Sequence, residues 1–188
     1  MGPPFSPEEY RARAERVRAE MTRRGVDVLY VTSPANLCYL TGFESIWYPP
    51  RAPLGAVLAR ESEALVFVDY ERHRHLVEQT AQCDDAIFFT YETALGTVER
   101  EFAARGWASG TVGLEWASRS PSALLLEEVA HRLRGRGAEI ITGDWIVDRV
   151  RLVKSPAEIE RVRRAAAIVD AAFAAIQADV RPGQTELE

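Results

Sequence analysis

The residues best suited to bind a small ligand lie together in one short segment. Trp47, Tyr48 and Arg51 surround two prolines, in a stretch with no helical or strand period. A guanidinium group binds a carboxylate through two parallel charge-assisted hydrogen bonds, and two aromatic rings can form an apolar wall beside it. A rigid, proline-rich segment that packs at a subunit interface has the same composition. The residues alone leave both interpretations open.

The other residue types that perform chemistry give little support for a catalytic or metal site. His73 and His75 are two positions apart in a predicted helix, so they do not share a face, and no third ligand is evident. We predict that both are solvated, as is His131 on the polar face of a later helix. Asp69 ends a predicted strand but lacks the acidic and lysine neighbours of a phospho-acceptor. The sequence therefore predicts no catalytic residue, no metal site and no cofactor in these 188 residues.

Motifs and composition exclude several other classes of function. The chain contains no GxGxxG, GxxxxGK[ST] or GxSxG motif. Its net charge of -5 argues against nucleic acid as a partner, and no apolar run is long enough for a membrane span. Cys38 and Cys83 lie in no CxxC or Cys/His cluster, which is typical of reduced thiols. With no apolar leader at the amino terminus, we expect a cytoplasmic protein.

Short apolar runs alternate with amphipathic segments and would position these residues. Strands are predicted at 26–31, 54–58, 64–68, 86–90, 111–114 and 139–142, and helices at 7–24, 33–40, 70–80, 93–105 and 120–136. Ser6 and Pro7 are typical of a helix start, and Gly25 of a helix end. This alternation, with one hairpin, predicts an α/β fold in which about six strands form a mixed sheet flanked by helices.

The composition changes after residue 144. Residues 148–154 look like a charged connector, and Ser155 then begins a helix that runs to Val180, about 39 Å long. One face of this helix is apolar, with residues Ile159, Val162, Ala166, Val169, Phe173 and Ile176. Such a stripe should pack on a segment that follows, so we expect the chain to be truncated. Whether Leu187 and Glu188 are native stays open.

Three segments, in order along the chain, resemble the creatinase, prolidase and aminopeptidase P family of pita-bread metallohydrolases. They are GVDVLYVTSPANLCYLTGF at 25–43, RLVKSPAEIE at 151–160 and RPGQTE at 181–186. The first is similar to the start of the family's amino-terminal domain and the second to the join between its two domains. The third is similar to a turn inside the catalytic domain.

The resemblance implies a creatinase-type amino-terminal domain at 1–150, with 151–188 as the linker and first helix of a truncated pita-bread catalytic domain. It implies a homodimer, and a divalent metal (Mn, Co or Zn) bound by residues beyond Glu188, so no metal ligand is assigned here. In this family the segment after the Gly-Phe pair approaches the partner's active site. In the creatinase branch an arginine there binds the substrate carboxylate, and Arg51 falls about where that arginine does.

The expected function follows from this resemblance. We expect the non-catalytic, oligomer-forming and pocket-completing domain of an Xaa-Pro dipeptidase or aminopeptidase-like hydrolase that acts on small peptides. One alternative is the same domain of a creatinase-type or ectoine-type hydrolase acting on a small amide, which the segment around Arg51 slightly favours. Another alternative is a non-enzymatic peptide-binding module.

Overall fold

The secondary structure follows the predicted order, with one added helix. A computed structural model of the chain describes residues 3–45, 48, 51–185 and 187. The strands are β1 (Val28–Val31), β2 (Gly55–Ala59), β3 (Leu65–Tyr70), β4 (Asp85–Phe89), β5 (Thr111–Leu114) and β6 (Glu139–Thr142). The helices are α1 (Pro7–Arg24), α2 (Pro34–Thr41), α3 (Arg74–Thr80), α4 (Ala94–Ala104), α5 (Ala123–Gly135), α6 (Ile146–Leu152) and α7 (Pro156–Asp179). Short 3-10 turns lie at Glu71–His73 and Trp107–Ser109.

The six strands form one mixed sheet, as predicted, and their order in the sheet is β4-β3-β2-β1-β5-β6. The β1–β2 and β2–β3 pairs are antiparallel, which confirms the hairpin, and the other three pairs are parallel. As a result β1, β3, β4, β5 and β6 all end at the same side of the sheet. We call this side the carboxyl edge.

Helices cover both faces of the sheet with separate apolar clusters. One cluster joins α1, α2 and α6 to the sheet and the other joins α4 and α5 to the opposite face. The neighbouring parallel strands β1 and β5 therefore lead into helices on opposite faces. In open α/β sheets, ligands bind in the crevice that such a reversal creates at the carboxyl ends of the strands.

Local capping signals explain why the helices begin and end where they do. The Ser6 hydroxyl accepts a hydrogen bond from the Glu9 N–H (3.4 Å) at the start of α1. Gly25 and Gly42 follow α1 and α2 in the left-handed conformation, with φ of 67° and 72°. At α7, Ser155 and Glu158 form a reciprocal capping box. These starts and ends confirm the predicted helices.

Two predicted boundaries are wrong. The expected connector at 148–154 is largely α6, because Ile146 and Val147 are fully buried in the cluster shared with α1 and α2. The predicted helix at 120–136 begins later: the Ser122 hydroxyl accepts from the Leu125 N–H (3.3 Å) and caps α5. Burial of apolar residues thus decides α6, and a side-chain cap decides where α5 begins.

The chain divides into two compact units, Met1–Leu152 and Val153–Glu188. The first holds the sheet and both apolar clusters. The second consists mainly of α7, whose apolar residues are exposed, with Ile168 at 71% and Phe173 at 61%. Within the described ranges, no helix has the length and hydropathy that crossing a bilayer would require.

Candidate functional site

A buried carboxylate joins the ends of the two strands at the reversal point. Glu115 directly follows β5 and is only 2% exposed. It accepts hydrogen bonds from the backbone N–H groups of Thr32 and Ser33, each at 2.6 Å, and from the Asn36 side-chain amide, also at 2.6 Å. These three donors belong to the turn after β1 and the first turn of α2. Glu115 therefore fixes the start of α2 to the end of β5.

Asn36 extends this arrangement to α6. Its amide nitrogen also donates to the Asp148 carboxylate (3.0 Å), and its amide oxygen accepts from Arg151 Nη1 (2.7 Å). Arg151 Nη1 also lies 3.7 Å from the Asp148 carboxylate. We call Asn36, Glu115, Asp148 and Arg151 the edge network. Asn36 and Arg151 belong to two different sequence motifs and lie 115 positions apart, and their hydrogen bond brings the two motifs together.

Burial raises the pKa of Glu115 to about 7, and the nearby Asp148 charge adds to this effect. The N–H groups of Ser33, Asn36 and Thr32 act in the opposite direction, because they stabilise the charged carboxylate. Glu115 thus titrates near neutral pH. The sequence analysis missed this residue, and its only local signal is an acidic residue directly after the apolar run Val112–Leu114.

A cleft of about 170 Å³ opens beside the edge network. It is lined by Ser33, Asn36, Glu115, Ala117, Ser118, Asp144, Trp145 and Asp148. Trp145 is 64% exposed and has a φ of 68°, which is unusual for a residue other than glycine. The Asp144 carboxylate accepts hydrogen bonds from the Ala117 N–H (2.9 Å) and the Thr142 hydroxyl (2.9 Å). The side chains of this cleft mainly hold the loops of the carboxyl edge together.

The predicted binding residues lie in the segment between α2 and β2 (residues 43–53, the Arg51 segment). Tyr48 is half-buried: its ring packs edge-on against Phe43 at 6.4 Å, and its hydroxyl lies 3.5 Å from the Phe43 carbonyl. Its backbone carbonyl accepts from the Ser120 hydroxyl (3.2 Å), and burial raises the pKa of Tyr48 to about 12. Tyr48 itself is therefore anchored to the core.

Arg51 is exposed, and no hydrogen bond or ion pair joins it to any other residue in the described ranges. Its guanidinium group is therefore available to an anion from outside this chain. Trp47, the third predicted binding residue, lies outside the described residues. The proposed role of these three residues stays a prediction.

One histidine differs from the prediction. His75 and His131 are exposed, as expected, but the His73 side chain is only 20% exposed and its Nδ1 lies 3.0 Å from the Asp69 carboxylate. Asp69 itself is fully buried at the end of β3. Cys38 and Cys83 are free thiols, and the described ranges contain no cluster of three His, Cys, Asp or Glu side chains that could hold a metal.

The fold and the meeting of its motifs define the class of the protein. A six-stranded mixed sheet has helices on both faces, and Asn36 and Arg151 meet at its carboxyl edge. The chain belongs to the Creatinase/Prolidase N-terminal domain family, whose model matches residues 13–153. The resemblance inferred from the sequence is confirmed.

Two curated relatives match nearly the whole chain. An ectoine hydrolase from Halomonas elongata is 28% identical over 201 residues, which cover 96% of this chain and 46% of that protein. An uncharacterized hydrolase/peptidase from Sinorhizobium fredii is 26% identical over 196 residues, which cover 100% of this chain and 49% of that protein. The chain spans about half the length of the curated relatives it matches.

Solved structures show the same fold at low sequence identity. A dipeptidase from Mycobacterium ulcerans has a TM-score of 0.74 at 20% identity, and the match covers 97% of this chain and 47% of that one. The N-terminal domain of a cytoplasmic peptidase from Mycobacterium tuberculosis has a TM-score of 0.58 at 18% identity. That match covers 74% of this chain and 98% of the peptidase domain. The predicted fold class is confirmed.

Proposed function

We propose that this chain is the non-catalytic amino-terminal domain of a cytoplasmic hydrolase that acts on small peptides or amides. The observation that carries the proposal is the family match over residues 13–153. In this proposal residues 151–188 form the linker and first helix of a pita-bread catalytic domain. That domain would bind a divalent metal (Mn, Co or Zn) and perform the hydrolysis, and the present domain would contribute dimer contacts.

Within this proposal Arg51 completes the substrate pocket of the partner subunit. Its exposed guanidinium group, which has no anionic partner among the described residues, suits a substrate carboxylate. Tyr48, anchored on Phe43 and Ser120, would hold the Arg51 segment in place, and Trp47 would add an apolar wall. A carboxylate-bearing substrate fits both an Xaa-Pro dipeptide and a small zwitterionic amide.

A second candidate is an enzyme that hydrolyses a small amide of the ectoine or creatine type. The observation that favours it is the 28% identity to an ectoine hydrolase across 96% of this chain. Several structures of the same fold are dipeptidases or prolidases, but at 17–20% identity they support only the shared architecture.

The test is a substrate comparison with the full-length protein purified with Mn, Co or Zn. We expect hydrolysis of either Xaa-Pro dipeptides or small amides such as ectoine and creatine, and a dimer in light scattering. Preference for one substrate class selects between the two candidates. A full-length protein that binds peptides without hydrolysing either class would instead be a binding module, and the enzymatic proposal would be wrong.

The Arg51→Gln substitution tests the role of the guanidinium group. A lost charge-assisted pair is worth roughly 1.5–3 kcal/mol, so KM should rise about tenfold to a hundredfold with kcat little changed. The variant should match the wild type on a substrate whose carboxylate is amidated. Arg100→Gln is the matched control, because Arg100 is an exposed arginine on α4. Equal effects on the free and amidated substrates would contradict a carboxylate contact.

A further inference from the structure

A groove of about 290 Å³ lies between α1, the start of β3 and the loop before β4. Its floor is apolar and is formed by the buried residues Tyr10, Ala14, Leu40 and Leu65. Ligand sites in proteins usually measure about 300–1,000 Å³. The groove is at the lower end of this range, so it has room for a ligand about the size of one amino acid.

The rim of the groove carries charges of both signs that lie close together. Burial lowers the pKa of Arg18 on α1, and three carboxylates on the rim oppose this effect. These carboxylates belong to Asp84, Glu15 and Glu63. Because complementary charges favour one kind of ligand over another, such a rim suits a zwitterion better than an ion with a single charge.

Arg18 is held in place and still has a donor to spare. Its Nε donates to the Ala59 carbonyl (3.4 Å). Its Nη2 donates to the carbonyls of Glu63 (2.6 Å) and Ala64 (3.1 Å). Its Nη1 makes no hydrogen bond within the described ranges. A guanidinium group fixed in this way can donate to a ligand carboxylate with little further loss of side-chain freedom.

Two of the carboxylates on the rim also have unused hydrogen-bonding capacity. The Asp84 carboxylate accepts from the Leu65 N–H (2.7 Å) and helps to hold the loop before β4. The side chains of Glu15 and Glu63 are exposed and make no hydrogen bond or ion pair among the described residues. An ammonium group in the groove would therefore find an acceptor of opposite charge, as a carboxylate would at Arg18.

We propose that this groove binds a free apolar amino acid, with its side chain on the apolar floor, its carboxylate on Arg18 and its ammonium group on Glu15 or Glu63. An amino acid of this kind is also what the hydrolysis of a small peptide releases. Any effect of the bound amino acid on that hydrolysis rests on the proposed function. The binding itself does not.

Cys83 provides a measurement that is specific to this groove and needs no activity. Cys83 and Cys38 are both free, partly buried thiols, and of the two Cys83 lines the groove. In the full-length protein, the rate at which iodoacetamide alkylates Cys83 is divided by the rate at Cys38, with mass spectrometry as the readout at one fixed pH. We expect saturating L-leucine to lower this ratio about fivefold or more, because bound leucine restricts access to the Cys83 thiol. An unchanged ratio would overturn the proposal.

Analogues of leucine test each part of the contact without any change to the protein. N-acetyl-L-leucine lacks the ammonium charge, L-leucinamide lacks the carboxylate, and glycine lacks the apolar side chain. Each missing contact should raise the concentration that half-protects Cys83 about fivefold or more. Equal protection of Cys83 by all four compounds would contradict a site for an apolar zwitterion.

A double variant, Glu15→Gln with Glu63→Gln, tests the ammonium contact from the side of the protein. Both side chains are exposed, so this variant should fold as the wild type does. It should bind leucine and N-acetyl-L-leucine equally well, whereas the wild type should prefer leucine. Glu61→Gln is the matched control and should keep that preference, because Glu61 is exposed on the same turn and does not line the groove. A double variant that still prefers leucine would overturn the assignment of these two carboxylates.

Hydrolysis assays separate this inference from the proposed function. If the full-length protein hydrolyses nothing, the proposed function fails while the protection of Cys83 still tests the groove. If the full-length protein hydrolyses small peptides or amides and leucine leaves the ratio of Cys83 to Cys38 alkylation unchanged, the groove proposal fails alone.

Discussion

The two buried carboxylates of the carboxyl edge have different surroundings. The two carboxylate oxygens of Glu115 accept hydrogen bonds from three N–H groups. One oxygen of Asp69 has no hydrogen-bond partner among the described residues. Full hydrogen bonding makes Glu115 a structural clamp between α2 and β5. The Asp69 carboxylate is instead only partly hydrogen-bonded, and burial raises its pKa.

Glu115 should make the stability of the domain depend on pH. Its pKa is about 7 in the folded chain against 4.5 for a free glutamate, so the folded state retains a proton that the unfolded state has lost. The stabilising contribution is therefore complete below about pH 4.5 and is lost as pH rises through about 7. The shift corresponds to about 3 kcal/mol at most. Asp69 contributes with the same sign, because its pKa is also raised.

The measurement is the urea unfolding free energy between about pH 4.5 and pH 8. Glu115→Gln should flatten the decline that the wild type shows over this range, since the titrating group is gone. Glu61→Gln is the control, because the Glu61 side chain is 87% exposed, and it should leave the slope unchanged. If the unfolding free energy changed equally with pH in the wild type and in Glu115→Gln, Glu115 would not be the group that titrates.

At the scale of single residues, the sequence predicts those features that depend only on neighbouring residues in the chain. Ser6, Gly25 and Gly42 could be assigned because a cap depends only on residues within one helical turn. Glu115 could not, because its partner Asn36 lies 79 positions away. The contact of His73 with Asp69 is local, but it was missed because the histidine was predicted to be solvated.

Among the secondary structure elements, the end of α2 is more tightly packed than the end of α1. Gly25 and Gly42 both adopt the left-handed conformation, but a Cβ at Gly25 would meet nothing within 4 Å. A Cβ at Gly42 would lie 2.5 Å from the Tyr10 hydroxyl oxygen, and Tyr10 is only 3% exposed. The end of α2 therefore needs glycine for space as well as for backbone conformation.

Alanine substitutions at Gly25 and Gly42 should separate the cost of the left-handed backbone conformation from the cost of the missing space. Gly25→Ala should cost about 1–2 kcal/mol of unfolding free energy, which is the conformational penalty alone. Gly42→Ala should cost more than Gly25→Ala, because the added methyl group would also displace Tyr10 and Pro3. Urea unfolding of both variants gives the comparison. A Gly42→Ala cost no larger than that of Gly25→Ala would mean that Tyr10 moves aside freely.

Helix α6 could not be predicted from the periodicity of its residues. Charged residues dominate 148–154, so the pattern favours a connector, but Ile146 and Val147 pack into the cluster beneath α1 and α2. Arg151 then reaches Asn36. The strands were predictable because each is a short, fully apolar run. Helix α6 is stabilised by two buried residues and by one hydrogen-bonded arginine. The residues that these three contact lie elsewhere in the chain.

The whole chain combines a unit that has its own core with a helix whose apolar side is exposed. The sheet and both apolar clusters lie within Met1–Leu152. In the second unit Val162, Val169 and Phe173 are 57%, 51% and 61% exposed. Exposed apolar surface of this kind promotes association in water. The two units should therefore contribute separately to stability and to association.

Truncation after Leu152 tests this separation. Residues 1–152 should unfold cooperatively with a midpoint close to that of the 188-residue chain, because the sheet and its covering helices are complete. The longer chain should bind more of the dye ANS and associate more at high concentration, through the apolar side of α7. Replacing both Ile168 and Phe173 with Glu should reduce dye binding and association to the level of the truncated chain. Loss of cooperative unfolding on truncation would show instead that the second unit completes the core of the first.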